Sequence, residues 1–250
     1  IERARALGKP LGRLPRKDGA ADASLGSLRA LKLSAEADAE LHAILDAAER
    51  LLARSPARVA NVAEVADEAG LAKGTVYLYF PSKEELLLAL HERNVQGFFR
   101  ALSAVLDGQG RVDVARILAL THEHMVEPPL FLPLAARVFG LMSQSIPAES
   151  AIAFKRRMAE RLERAGAGLE RHFRTLAPGE GLVLLRHSYA LILGLWQMAG
   201  ATGACPAVAA LVPPAAFQFS YGADLDGALN ALWRGVVGET VSAPTAGRKP

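Results

Sequence analysis

The run Ala69-Gly-Leu-Ala-Lys-Gly-Thr-Val-Tyr-Leu-Tyr-Phe-Pro-Ser-Lys-Glu-Glu-Leu86 decides the fold. Ahead of it, Val62 to Ala69 predicts a short helix closed by Gly70, a residue free to take the left-handed backbone that ends a helix. A second helix is expected from Ala72 or Lys73. It has to stop before Pro81, because the residue preceding a proline is driven out of the α region. Two short helices joined by a glycine turn make a helix-turn-helix, whose second helix can enter the DNA major groove.

The side chains fit that use. Val76 and Phe80 are four apart and share one face, which is expected to pack on Val65 and Ala66 of the preceding helix. Lys73, Thr75, Tyr77 and Tyr79 remain for the other face: one cation, one hydroxyl and two phenols, suited to phosphate and base contacts. Gly74 offers no side chain where the helix would approach a duplex, at a cost of roughly 1 kcal/mol of helix stability relative to alanine. Leu78 is a candidate for contact with a thymine methyl.

Gly70 to Leu86, with Val62-Ala-Glu-Val-Ala66 ahead of it, resembles the DNA-binding domain of TetR-type transcriptional repressors over roughly residues 41–90. The resemblance implies an all-α homodimer with an N-terminal three-helix helix-turn-helix domain and a larger C-terminal helical domain for ligand binding and dimerisation. It further implies a near-palindromic DNA operator, released when a small-molecule effector enters the second domain. The chain departs from the pattern twice. Pro56-Ala57 stands where a glycine and an aromatic are usual, so that turn has to be built differently. Ala72 replaces a serine or threonine, removing a cap and one DNA hydrogen bond, and it is left out of the contact set.

The remaining contact candidates come from helix ends. Asn61 is placed as an N-cap, with Glu64 three residues on completing a capping box. In similar proteins this helix start touches a phosphate. Ser82 caps the next helix with Glu85 as its partner, and Lys83 follows in the first turn. A cation there opposes the helix dipole, which suggests a phosphate as its use. The expected DNA-binding set is therefore Asn61, Lys73, Gly74, Thr75, Tyr77, Leu78, Tyr79 and Lys83.

Length and composition are consistent with two domains. The 250 residues are 51% hydrophobic, enough to bury a sizeable core. Net charge is only +3, with a sequence pI near 9.2, so the placement of charge matters more than its total. Cys205 is the only cysteine. It excludes an intrachain disulfide and, without companion ligands, a structural zinc site, and it points to a cytoplasmic setting. Residues 1–17 lack the apolar core of a signal peptide. Ser188 to Ala223 carries no charged residue, but glycines, Gln197 and prolines interrupt it. It is read as a buried helix and a loop with no membrane-spanning helix.

Residues 1–36 read as a basic, flexible N-terminal arm able to track phosphates. Residues 37–86 form the helix-turn-helix domain, beginning with the stripe Leu41, Ile44, Leu45, Ala48, Leu51 and Leu52 on a helix from about Ala37 to Arg54. Residues 87–238 form the ligand-binding and dimerisation domain, and 239–250 a flexible tail. The helix starting at Ser82 is expected to continue to about Asp107 and join the two domains. Further helices are expected over 112–126, 131–145, 148–176, 180–199 and 225–237. The segment 180–199 is apolar nearly all round, which calls for a second copy of the chain to cover one face. With 225–237 it would form a four-helix homodimer interface.

Other chemistry is weak. His122-Glu123-His124 has a metal-like look, but alternate residues on a helix point apart and are read as a solvated helix end. Gly166-Ala-Gly168 and Gly179-Glu-Gly181 lack the strand–turn–helix setting of a nucleotide loop and read as close helix packing and a loop. No nucleophile–base motif is present, so no enzyme activity, metal or cofactor is expected. Ligand-pocket candidates are Phe139, Met142, Phe154, Met158, His187, Tyr189 and Trp196, aromatics and methionines with a few polar handles. The alternative function is a small-molecule sequestering protein whose helix-turn-helix is vestigial.

Overall fold

A computed structural model describes residues 20–56, 58–141, 145–203 and 220–238, with side chains from Glu36 in the first span and to Gly200 in the third. All regular structure among the described residues is helical: α1 (Ala20–Arg54), α2 (Val62–Ala69), α3 (Lys73–Tyr79), α4 (Lys83–Leu106), α5 (Val114–Thr121), α6 (Phe131–Leu141), α7 (Ala148–His172), α8 (Glu180–Gly203) and α9 (Tyr221–Val237). A π-helical turn, His122–Val126, extends α5. The chain divides into two compact units, 1–90 and 91–250. Helix α4 runs unbroken through that boundary.

In the first unit, α1 packs on α2 and α2 on α3. The core holds Ile44, Leu45, Ala47, Ala48 and Leu52 from α1, with Val62, Val65 and Ala66 from α2. Helix α1 begins at Ala20, well before the expected Ala37, so residues 20–36, expected as part of the flexible arm, are helical. From Ala20 to Glu36 the segment is rich in alanine and leucine, strong helix formers, and Gly26 is its single glycine. The rest of the expected basic arm, residues 1–19, and the tail from 239 lie outside the described residues. After α1 the turn at Ser55-Pro56 closes through the Arg58 N–H donating to the Ser55 carbonyl at 3.0 Å.

The second unit is built around Leu102, Ile117, Phe131, Leu169, Leu184, Ile192, Leu225, Leu229 and Trp233, all essentially inaccessible. Helices α7 and α8 meet closely at two glycines. A Cβ on Gly166 would lie 2.5 Å from the Leu182 backbone nitrogen, and one on Gly181 would lie 2.3 Å from the Gly166 carbonyl oxygen. Close packing is thus the use of both glycines. Gly168 similarly leaves room for Leu106, whose Cδ1 would be 2.7 Å from an added Cβ.

Helix α8 corrects the reading of an interrupted apolar segment. Gly194, Gln197 and Gly200 lie within one helix, and Glu180–Gly200 is long and apolar enough to cross a membrane by length and composition. Glycine weakens a helix interior without breaking it. The helix packs against α6, α7 and α9, yet only 28% of that stretch is buried within the chain.

Candidate nucleic-acid interface and ligand cavity

The turn between α2 and α3 is assembled from local bonds. Asn61 accepts the Glu64 N–H at 2.9 Å, while Glu64 accepts the Asn61 N–H at 2.8 Å, completing the capping box. Gly70 takes φ 68°, and the Leu71 N–H donates to the Ala66 carbonyl at 3.0 Å. Helix α3 starts after Ala72, which supplies no side-chain cap, and ends at extended Phe80 before Pro81. On α4, Ser82 Oγ accepts the Glu85 N–H at 3.2 Å.

Helix α3 has two distinct faces. Val76 is fully buried and Phe80 nearly so. Opposite them Lys73 and Gly74 are exposed, Tyr77 is 49% exposed and Leu78 73%. Thr75 is half-buried. No heavy atom lies within 4 Å of a Cβ built on Gly74, so nothing inside the described structure requires a glycine there. Lys73 has no ion pair among the described residues, and Lys83 lies 3.9 Å from its neighbour Glu84.

Tyr79 departs from the expected contact set. Its phenol is half-buried and donates to Glu40 at 2.9 Å, with the Ala37 carbonyl at 3.2 Å. Burial, then the Glu40 carboxylate, pushes its pKa up to about 12. The hydroxyl is committed to α1 and is not displayed beside Tyr77. Asn61 is likewise occupied in its capping box, leaving the helix start itself exposed.

Among the described residues of this unit, Arg50, Arg54 and Arg58 are tied to glutamates. Glu68 pairs with Arg54 and, at 2.9 Å, with Arg50. Hydrogen bonds from Arg54 and then Arg50 hold its carboxyl down to about 2. Arg58 pairs with Glu64 and, with the Asn61 backbone, lowers that carboxyl too.

The second unit contains a cavity of about 230 Å³. Phe98, Phe99, Phe154 and Ile192 give it apolar walls, and the π-helical turn contributes Met125. Such turns recur inside α-helices at functional sites. Of the sequence candidates, Phe139, Phe154, Met158 and Tyr189 line it, with the Phe139 and Tyr189 rings 6.1 Å apart. His187 is exposed on α8 and does not line it, whereas its neighbour Arg186 does. Trp196 is half-buried against the core and also lies off the cavity wall. Met142 lies outside the described residues.

Two groups beside the cavity were not singled out from sequence. His91 is 3% exposed and lines the wall, with Nε2 3.4 Å from the Tyr189 hydroxyl. Its sequence signal is its register, four residues from both Leu87 and Val95 on a buried stripe. Adjacent Glu92 receives Arg157 at 2.7 and 2.6 Å and Arg161 at 2.9 Å. Burial pushes the Glu92 carboxyl up, but the two guanidiniums outweigh it and its pKa falls.

The histidines of the π-helical turn do other work than an exposed helix end would. Both are half-buried, and His122 Nε2 sits 2.8 Å from Asp226 on α9. No cluster of three metal-ligating side chains occurs among the described residues.

Comparison with known proteins follows the same division. Residues 44–90 match the family described as bacterial regulatory proteins, tetR family, and residues 92–240 match the tetracyclin repressor-like C-terminal domain. Curated relatives include the fatty acid metabolism regulator protein of Bacillus subtilis, 36% identical over 24% of this chain and 30% of its own. The HTH-type transcriptional regulator EthR of Mycobacterium tuberculosis is 41% identical over 30% of this chain and 35% of its own. The chain thus spans about a third of the length of these relatives. SmeT, the repressor of the Stenotrophomonas maltophilia multidrug efflux pump SmeDEF, has a similar structure: TM-score 0.51, 23% identity, 84% of this chain and 96% of its own. With matches on both sides of Leu90, this chain belongs to the TetR family of transcriptional regulators.

Proposed function

We propose that the protein is a homodimeric repressor that binds a near-palindromic operator and releases it when a small-molecule effector fills the cavity of the second unit. The observation that carries the DNA-binding part is the division of α3. Val76 and the capping Phe80 are buried, while Lys73, Gly74, Thr75, Tyr77 and Leu78 are left at or near the surface. Lys73, Lys83 and the α2 N-terminus at Asn61 would position the unit on phosphates. Thr75, Tyr77 and Leu78 would read base edges, and Gly74 would allow close approach. Tyr79 is assigned to the domain's own structure, on its bonds to Glu40 and Ala37.

Dimerisation through α8 and α9 is supported by apolar side chains left uncovered, Met198 at 51% and Val236 at 38% exposure. An effector with different affinity for two states of the dimer would shift operator binding by that difference. Setting the protein in the cytoplasm follows from this DNA partner. The reading includes no enzymatic step.

Operator fragments selected from a random duplex pool, followed by footprinting, test the assignment. Two protected half-sites are expected, spaced by about 34 Å or a multiple of it. Light scattering should give twice 26.5 kDa. A monomer at micromolar concentration contradicts the dimer. Failure to bind duplex even at low salt favours the sequestering alternative.

A further inference from the structure

We infer that the cavity of the second unit takes a compact, uncharged, hydrocarbon-like ligand, held by shape and apolar contact with no hydrogen bond from the wall. This rests on the reading of the cavity as the effector site and names the class of molecule that site selects.

The wall contains polar residues, yet nearly all the surface it turns to the cavity is apolar. Local bonding explains the difference. Thr121 Oγ donates to the Ile117 carbonyl at 2.9 Å. Ser188 Oγ donates to the Leu184 carbonyl at 2.8 Å and accepts the Trp233 indole N–H at 2.9 Å. The polar hydrogens of all three side chains are thus spent inside the protein. The Tyr189 hydroxyl stands 3.4 Å from His91 Nε2, and His91 Nδ1 is buried and inaccessible. Arg186 is exposed, so its charge stays hydrated.

A ligand hydroxyl would therefore leave water and find no partner, a loss on the order of tenfold or more in affinity. A carboxylate would lose more, since an unpaired charge is costlier to bury than a hydroxyl. Bridging water rescues neither, because a buried water needs about two to four polar partners of its own.

What the wall offers is carbon and sulfur. Phe98, Phe99 and Phe154 contribute aromatic rings, and Met125 and Met158 contribute polarisable thioethers. An apolar cavity of ~150 Å³ is large enough to take up benzene. At about 230 Å³ this one has room for a ring bearing a short alkyl chain.

Ethylbenzene, benzyl alcohol and benzoate have nearly the same shape and differ in carrying a methyl, a hydroxyl or a carboxylate oxygen pair. Each is titrated by NMR into the full chain with isotope-labelled methionine methyls. Met125 and Met158 line the cavity, so the ring current of bound ethylbenzene should shift both methyl resonances. Affinity should fall by about 10-fold or more from ethylbenzene to benzyl alcohol, with benzoate weaker still. Met158→Gln brings an amide to the wall at a half-buried position. It should narrow the gap between ethylbenzene and benzyl alcohol by about 3- to 10-fold, the net worth of one hydrogen bond. The ligand class is overturned if benzyl alcohol binds as tightly as ethylbenzene, if benzoate binds best, or if Met158→Gln leaves the gap at its wild-type size. It is also overturned if ethylbenzene shifts neither methyl at millimolar concentration. The effector reading fails separately, if ethylbenzene fills the cavity with the expected order of affinities yet leaves operator affinity unmoved. Benzoate that shifts both methyls, binds best and releases the operator overturns the class and leaves the effector reading standing.

Discussion

Tyr77 and Tyr79 stand two residues apart on one short helix and meet different surroundings. Tyr77 is 49% exposed, whereas Tyr79 donates to Glu40 and Ala37. Removing the second hydroxyl should act on stability: Tyr79→Phe is expected to cost about 1.5–3 kcal/mol in urea unfolding, the worth of a hydrogen bond to a carboxylate. Tyr77→Phe should leave unfolding unchanged. Sequence could not separate the two, because Glu40 lies 39 residues away and only the packed domain brings it to Tyr79. His91 was hidden for the same reason, its partner Tyr189 being 98 residues on. Its burial also sets a pH dependence. The folded pKa, about 4, lies below the ordinary 6.5, so between those values the unfolded chain binds more protons. His91 therefore lowers stability as pH falls from 6.5 towards 4. Comparison of unfolding curves should show wild type losing more stability over that window than His91→Phe, and equal losses would contradict the burial.

At the scale of elements, the glycines divide into those that packing needs and those it does not. Gly166→Ala places a methyl 2.5 Å from the Leu182 backbone nitrogen, so α7 and α8 must separate. Its cost should reach or exceed the roughly 1–3 kcal/mol typical of overpacking. Gly194→Ala, with open space around it, should be neutral or stabilising by up to about 1 kcal/mol in the same melt. Gly74 is of the second kind, since nothing within 4 Å requires it. Gly74→Ala should stiffen α3 while weakening duplex binding in a gel-shift titration; unchanged binding would remove the close-approach role. Short-range signals were the legible ones: Asn61 with Glu64, Gly70 in its left-handed turn, and Pro81 ending α3 each act over a few residues. The start of α1 was missed because the charge of the leader masked the alanine-rich stretch after Pro15. The half-buried setting of His122 was missed because its partner Asp226 lies on a helix that is remote in sequence.

For the whole molecule, the sequence carried the two-domain helical plan because each apolar stripe has its own period. It could not place the cavity, whose wall draws on α4, α5, α6, α7, α8 and α9. The proposed function of the molecule rests on one claim, that the exposed face of α3 binds duplex DNA. Its most direct test is a titration of labelled operator duplex over a range of salt, comparing wild type with Lys73→Gln combined with Tyr77→Phe. The double variant is expected to unfold like wild type, since both side chains are exposed, yet to lose operator affinity. Its log-affinity against log-salt slope should be shallower by about 1, for one lost phosphate contact. Wild-type affinity and an unchanged salt slope in the double variant would contradict the claim.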